Sequence, residues 1–165
     1  FGASKTKIEA YNRDMTLAPE WDILINHSDD MVFIVEGYDE MIEEDMLKWF
    51  PDLDGMLHYN DGNQGRNVIT LAIMGRKYYD RFNYIYHPSY GSLWCDNEQM
   101  DVSRLLNKYR YLGENKILFR HYHPAWGFGK MDDLYIRNES RDNWVRDERN
   151  YLERKERNFD LTLTP

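Results

Sequence analysis

The stretch NVITLAIMG, residues 67–75, constrains the fold more than any other part of the chain. Its β-branched and aliphatic residues read as a strand, and RKYYDRFNYI (76–85) follows at once as a short helix. Further strands are read at Asp22 to Asn26, in GMLHYND (55–61) and in KILF (116–119). Between them lie helical periods. Ser4 caps a helix over KTKIEAYNRDM, which Pro19 ends. YDEMIEEDMLKWF places Ile42, Met46, Trp49 and Phe50 on one face with acids opposite, and Pro51 stops it. NEQMDVSRLLNKYRYLG gathers Val102, Leu105, Leu106 and Tyr109 on one face, with Gly113 as its C-cap. Strands alternating with helices predict an α/β layered sheet.

The 165 residues suit a single domain, 1–165. From about 141 to 157 charges dominate, and only Trp144, Tyr151 and Leu152 anchor the expected solvated helix. The single cysteine, Cys95, excludes an intramolecular disulfide framework and a cysteine zinc cage. A net charge of −8 argues against general nucleic-acid binding, which needs basic surface. No run reaches the roughly 18 apolar residues of a membrane span and no signal segment opens the chain, so a cytoplasmic protein is expected. Walker, GxGxxG, GxSxG and HExxH signatures do not occur.

Four polar constellations stand at strand ends or in loops, where open α/β sheets hold their ligands. In Ser28-Asp29-Asp30 two adjacent carboxylates repel, and a divalent cation such as Mg²⁺ or Mn²⁺ would reconcile them. Read plainly, Asp30 caps a turn and Asp29 faces water. Asp96 and Glu98 open a helix, where acids favour the helix dipole and where a general base would also stand. In FRHYHPAW, His121 and His123 share one side of an extended segment, which suits either metal ligation or ordinary hydrogen bonding. The loop HYNDGNQGRN offers His58, Asn60, Asp61 and Asn63 to sugar hydroxyls, or is turn chemistry alone. Tyr90, Trp94 and Trp126 add aromatic stacking surface.

Taken in order, WDILINHSDDM, SLWCDNEQMDV and HYHP resemble the motifs of family 2-like glycosyltransferases of the GT-A fold. GASKTKIEAYNRDM is similar to that family's Gly/Ser loop and helix, and NVITLAIMGRKYYDRFNYI to the strand before its acceptor region. The resemblance covers roughly residues 2 to 125. It implies a GT-A-like (Rossmann-like) mixed sheet flanked by helices, lacking the N-terminal βαβ portion. It also implies transfer of a sugar from a nucleotide-sugar, a UDP-sugar above all, to a sugar or other hydroxyl acceptor with Mn²⁺ or Mg²⁺. Asp96 would be the base with Glu98 in support. Lys5, Ser28, Asp29 and Asp30 would bind the donor; Asp29, Asp30, His121 and His123 would hold the metal; Asp61, Asn63 and Trp94 would meet the acceptor. A homo-oligomer is expected where a second chain fills the sheet edge left by the absent unit. Two rivals remain: a non-catalytic sugar- or nucleotide-binding remnant, and a metal-dependent phosphate or phosphodiester hydrolase.

Overall fold

The computed structural model of the chain describes residues 4–114 and 117–162. Gly2 and Ala3 of the Gly/Ser loop, and Lys116 of the strand expected at 116–119, lie outside those residues. The helices are α1 (Lys7–Asn12), α2 (Tyr38–Trp49), α3 (Arg76–Asp80), α4 (Cys95–Leu105), α5 (Asp133–Asn138) and α6 (Arg141–Glu156). The strands are β1 (Ile23–Asn26), β2 (Met31–Phe33), β3 (Met56–His58), β4 (Ala72–Gly75), β5 (Tyr109–Tyr111) and β6 (Phe119–His121).

Four strands form a mixed open sheet in the order β1-β4-β3-β5. β4 runs antiparallel to β1 and β3, whereas β5 runs parallel to β3. A separate antiparallel pair joins β2 to β6. Neighbouring strand residues point to opposite faces, and both faces of the sheet are covered. Met56, Ala72 and Met74 pack with Met100, Val102 and Tyr151 of α4 and α6. Leu57 and Ile73 pack with Ile42 and Met46 of α2 and with Phe119 of β6. Each fully buried side chain of this size contributes about 1.5–3 kcal/mol, so the two-sided sheet is the main source of cohesion. No helix among the described residues is long and apolar enough to cross a membrane.

Several local expectations shift for physical reasons. Thr6, not Ser4, caps α1, its hydroxyl accepting from the Glu9 N–H at 3.0 Å. β4 is shorter than NVITLAIMG because Thr70 gives its hydroxyl to Asp61, tying 68–71 to the preceding turn while Ile69 and Leu71 stay buried. It ends at Gly75, where a Cβ would stand 2.2 Å from the Leu53 carbonyl oxygen, a closeness only glycine allows. α4 stops at Leu105 rather than running to Gly113. Asn107 takes a left-handed φ of 56°, which asparagine tolerates better than most residues, and Tyr109–Tyr111 then pairs alongside β3.

α6 is the expected largely solvated helix, packing one edge through Asp147, Tyr151 and Arg154, and two residues of that buried edge are charged. Asp147 accepts from the N–H groups of Gly91, Ser92 and Leu93 at 2.9–3.2 Å. Arg154 pairs with Glu98 through Nε at 2.7 Å and Nη2 at 2.9 Å.

His58 is 1 % exposed and its Nδ1 lies 2.7 Å from the Tyr109 hydroxyl. It therefore sits in the core, not in a sugar-binding loop. Burial, aided by the Arg104 charge, lowers its pKa from 6.5 to about 4. The folded state thus keeps His58 neutral where the unfolded chain protonates it. The associated stability is complete above pH 6.5 and is lost as pH falls toward 4, a difference of about 3 kcal/mol. Urea unfolding across that window is expected to show this acid loss, and His58→Gln is expected to flatten it.

Candidate functional site

The site starts at a tight turn between β1 and β2. The Met31 N–H donates to the Ser28 carbonyl at 3.1 Å, and the Ser28 hydroxyl donates to Asp30 Oδ1. β2 pairs with β6 so that Met31 faces His121, and the Tyr122 N–H donates to the Asp30 carbonyl at 2.7 Å. These bonds fix Asp30 beside the end of β6. His121 Nε2 stands 3.1 Å from Asp30 Oδ2. The extended backbone then carries His123 to the same side, with the two imidazole centroids 5.0 Å apart.

Asp30, His121 and His123 each offer one ligand atom within 4.8 Å of the others. Asp29 does not join them. It is exposed and points along the rim, so the pair of like charges is separated by giving each a different surrounding. Burial pushes the Asp30 carboxyl upward, but the Ser28 hydroxyl and the His121 ring outweigh it and leave the group below its ordinary value. His123 moves down, first through burial and then through the neighbouring His121. Its Nδ1 accepts from the Ala125 N–H at 3.3 Å, a long bond that a cation on this ring would compete with.

Asp61 and Asn63 lie behind this cluster and do not border its cavity. Asp61 is 1 % exposed. Its Oδ1 accepts from the N–H groups of Asn63 and Gln64 at 2.8 and 2.7 Å, and its Oδ2 accepts from Thr70 at 3.0 Å. Oδ2 also lies 3.8 Å from His121 Nδ1, a buried nitrogen with no hydrogen-bond partner among the described residues. Burial alone would raise the Asp61 carboxyl; the facing His121 ring and these donors more than offset it and hold the group far below the usual carboxylate range. Asn63 Nδ2 donates to the His121 carbonyl at 2.8 Å. Asp61 thus stands behind the His121 ring without a hydrogen bond to it, while Nε2 on the other side faces Asp30.

The opposite wall comes from α4 and α1. Trp94 takes a left-handed φ of 64° at the N-cap of α4, and Asp96 follows in the first turn, accepting from the Asn97 N–H at 2.9 Å. Burial raises the Asp96 carboxyl above its ordinary value against the pull of Lys7. Lys7, not Lys5, lines the cavity, since Lys5 is exposed ahead of the helix. Burial opposes the Lys7 ammonium, yet Tyr11, Cys95, Asp96 and Glu139 together raise it. Glu139, in the link between α5 and α6, is raised by burial and was not indicated by the sequence. Glu98 faces away from the cavity. Both its oxygens bind Arg154, and one also accepts from the Tyr90 hydroxyl at 2.7 Å, so it braces α4 and does not support a base.

Ser28, Asp29, Asp30, Trp94, Asp96, His121 and His123 all border one cavity of about 1250 Å³. A pocket for a single small ligand is usually about 300–1,000 Å³, so this one has room for two. No protein-family model, curated protein or solved structure matches the chain.

Calorimetric titration with Mn²⁺ is expected to lose its signal in His121→Ala and keep it in Asp29→Asn, with Asp61→Asn weakened about 10–100-fold. Glu98→Gln is expected to lower the unfolding free energy, because it leaves the buried Arg154 with Asp160, 3.1 Å from Nη1, as its remaining carboxylate; denaturant melts measure this directly.

Proposed function

We propose that the protein is a metal-dependent glycosyltransferase on a GT-A-like frame, moving a sugar from a nucleotide-sugar to an acceptor hydroxyl. One observation carries the reading: a carboxylate poised as a base, Asp96, and the Asp30, His121 and His123 cluster border the same large cavity. The order of those residues along the chain, and the resemblance they carry, support it.

The donor set suits a divalent cation. One carboxylate and two imidazoles favour Mn²⁺ over Mg²⁺, whose preference is for oxygen alone. His121 Nε2 and Asp30 Oδ2, 3.1 Å apart, already converge on one part of the cavity wall. When bound there, the cation supplies charge compensation for the donor's diphosphate.

The chain's own residues perform the proton transfer. The Asp96 carboxylate takes the acceptor's hydroxyl proton as the acceptor oxygen bonds to the sugar's anomeric carbon. The bond from that carbon to the diphosphate oxygen breaks, and its electron pair leaves with the diphosphate. A carboxyl raised by its surroundings is a stronger base than one in water, while Lys7 keeps enough positive charge nearby for Asp96 to be ionised. Trp94 and Trp144 line the cavity beside Asp96.

Asp96→Asn is expected to reduce transfer from a UDP-sugar about 10²–10⁴-fold, with Mn²⁺-dependent UDP binding and the melting temperature unchanged. Undiminished turnover in that variant would remove Asp96 from the mechanism. Binding of UDP with no turnover in the wild type would favour a non-catalytic module. Release of free sugar or phosphate with no acceptor dependence would favour a hydrolase. The same two-imidazole, one-carboxylate set also holds iron(II) in oxygenases, so iron-dependent oxygen uptake would replace the present reading.

A further inference from the structure

The first turns of α4 and α6 meet at one corner of the cavity. Trp94 and Trp144 join there edge to face, with ring centroids 5.4 Å apart at 74°, and Tyr151 backs Trp94 at 5.2 Å. Both tryptophans border the cavity, and Trp144 is 47 % exposed. The Trp94 indole N–H is buried and finds no acceptor among the described residues. A buried donor left without a partner is costly. Two carboxylates stand beside the aromatic corner. Asp96 lies two residues after Trp94, and Glu139 lies one residue before the Ser140 cap of α6, whose first turn carries Trp144. Lys7 feels both carboxylates.

We infer that this corner is a saccharide subsite, which binds the terminal pyranose of the acceptor. The assignment rests on the transferase reading only in calling the occupant the acceptor. A pyranose presents an apolar C–H face for an indole ring and hydroxyls for carboxylate oxygens, so it needs both kinds of group side by side. Asp96 and Glu139 disfavour a nucleotide's phosphates beside them, and a hydrocarbon tail would leave both carboxylates and the Lys7 ammonium desolvated. A neutral, hydroxyl-rich ring satisfies the set. Trp144 supplies the exposed stacking face, Trp94 backs it, and Glu139 accepts from a hydroxyl next to the one that Asp96 deprotonates.

Saturation-transfer NMR tests this with the intact chain and the methyl glycosides of glucose, galactose, mannose and N-acetylglucosamine at millimolar concentration. The expected result is saturation of the ring protons of at least one glycoside. Its affinity is expected to fall tenfold or more in Trp144→Ala and severalfold in Glu139→Gln, while Mn²⁺-dependent UDP binding stays unchanged in both. Trp144 is half exposed, so its loss spares the core; should Trp144→Ala nevertheless melt early, Glu139→Gln carries the test. Saturation of no glycoside overturns the subsite, as does undiminished saturation in both variants. Displacement of the glycoside by UDP alone also overturns it, by giving the corner to the nucleobase. A glycoside that binds in the absence of any metal-dependent UDP binding upholds the subsite and defeats the transferase reading, so the two fail separately.

Discussion

Asp147 has no solvent exposure, and the loop that carries the cavity's second wall hangs on its carboxylate. A buried charge in an α/β protein is tolerable only when its hydrogen-bond capacity is filled. Here three successive N–H groups, from Gly91, Ser92 and Leu93, fill it, and the Arg146 guanidinium adds a charged partner at 2.9 Å. Those donors hold the carboxyl below its ordinary value against the opposing effect of burial. The loop therefore enters α4 in one conformation, and Trp94 is held in a left-handed geometry that an aromatic residue rarely adopts. Two turns further along α6, Arg154 secures Glu98 in the same helix. α6 thus fixes α4 at two points, and the direction in which Asp96 faces follows from both.

The other wall depends on a different kind of constraint. The β2 and β6 pair has three residues in each strand, yet its register sets Met31 against His121 and so brings Asp30 to the histidines across ninety-one positions of sequence. Phe119 drives this pairing from below, since it is wholly buried against α2 and the central sheet. Asp61 and Asn63 then lock the end of β6 through the His121 ring and carbonyl. One side of the cavity is held by strand register and the other by buried charge. The side chains that face each other across it owe nothing to local sequence.

That division explains what could be read from the chain beforehand. α2, α3, β1 and β3 were legible because their periodicity and their Pro or Gly boundaries agree with their final environment. Asp30, His121, His123, Asp96 and Trp94 were legible as residues, since strand ends and helix starts are where such groups gather. Lys7 was not separable from Lys5, because two lysines two positions apart differ only by helix phase, and that phase depends on Thr6 rather than Ser4 as the cap. Glu98 read as a partner of Asp96 because both sit in one helical turn. Its commitment to Arg154 spans 56 positions, and no local pattern announces it. β2 and α5 escaped notice for the related reason that three and six residues give too little periodicity to register.

The adjacent aspartates Asp29 and Asp30 show how far neighbours in sequence diverge once the fold is in place. Their mutual repulsion in an apolar setting would drive one of them to take up a proton. The turn from Ser28 to Met31 avoids this by turning Asp29 out to solvent and Asp30 inward to the Ser28 hydroxyl and the His121 ring. Asp30 then carries its charge within a cluster that also holds two imidazoles, while Asp61 keeps a second carboxylate behind the first of them. Two carboxylates flanking one histidine from opposite sides leave the cluster rich in negative charge.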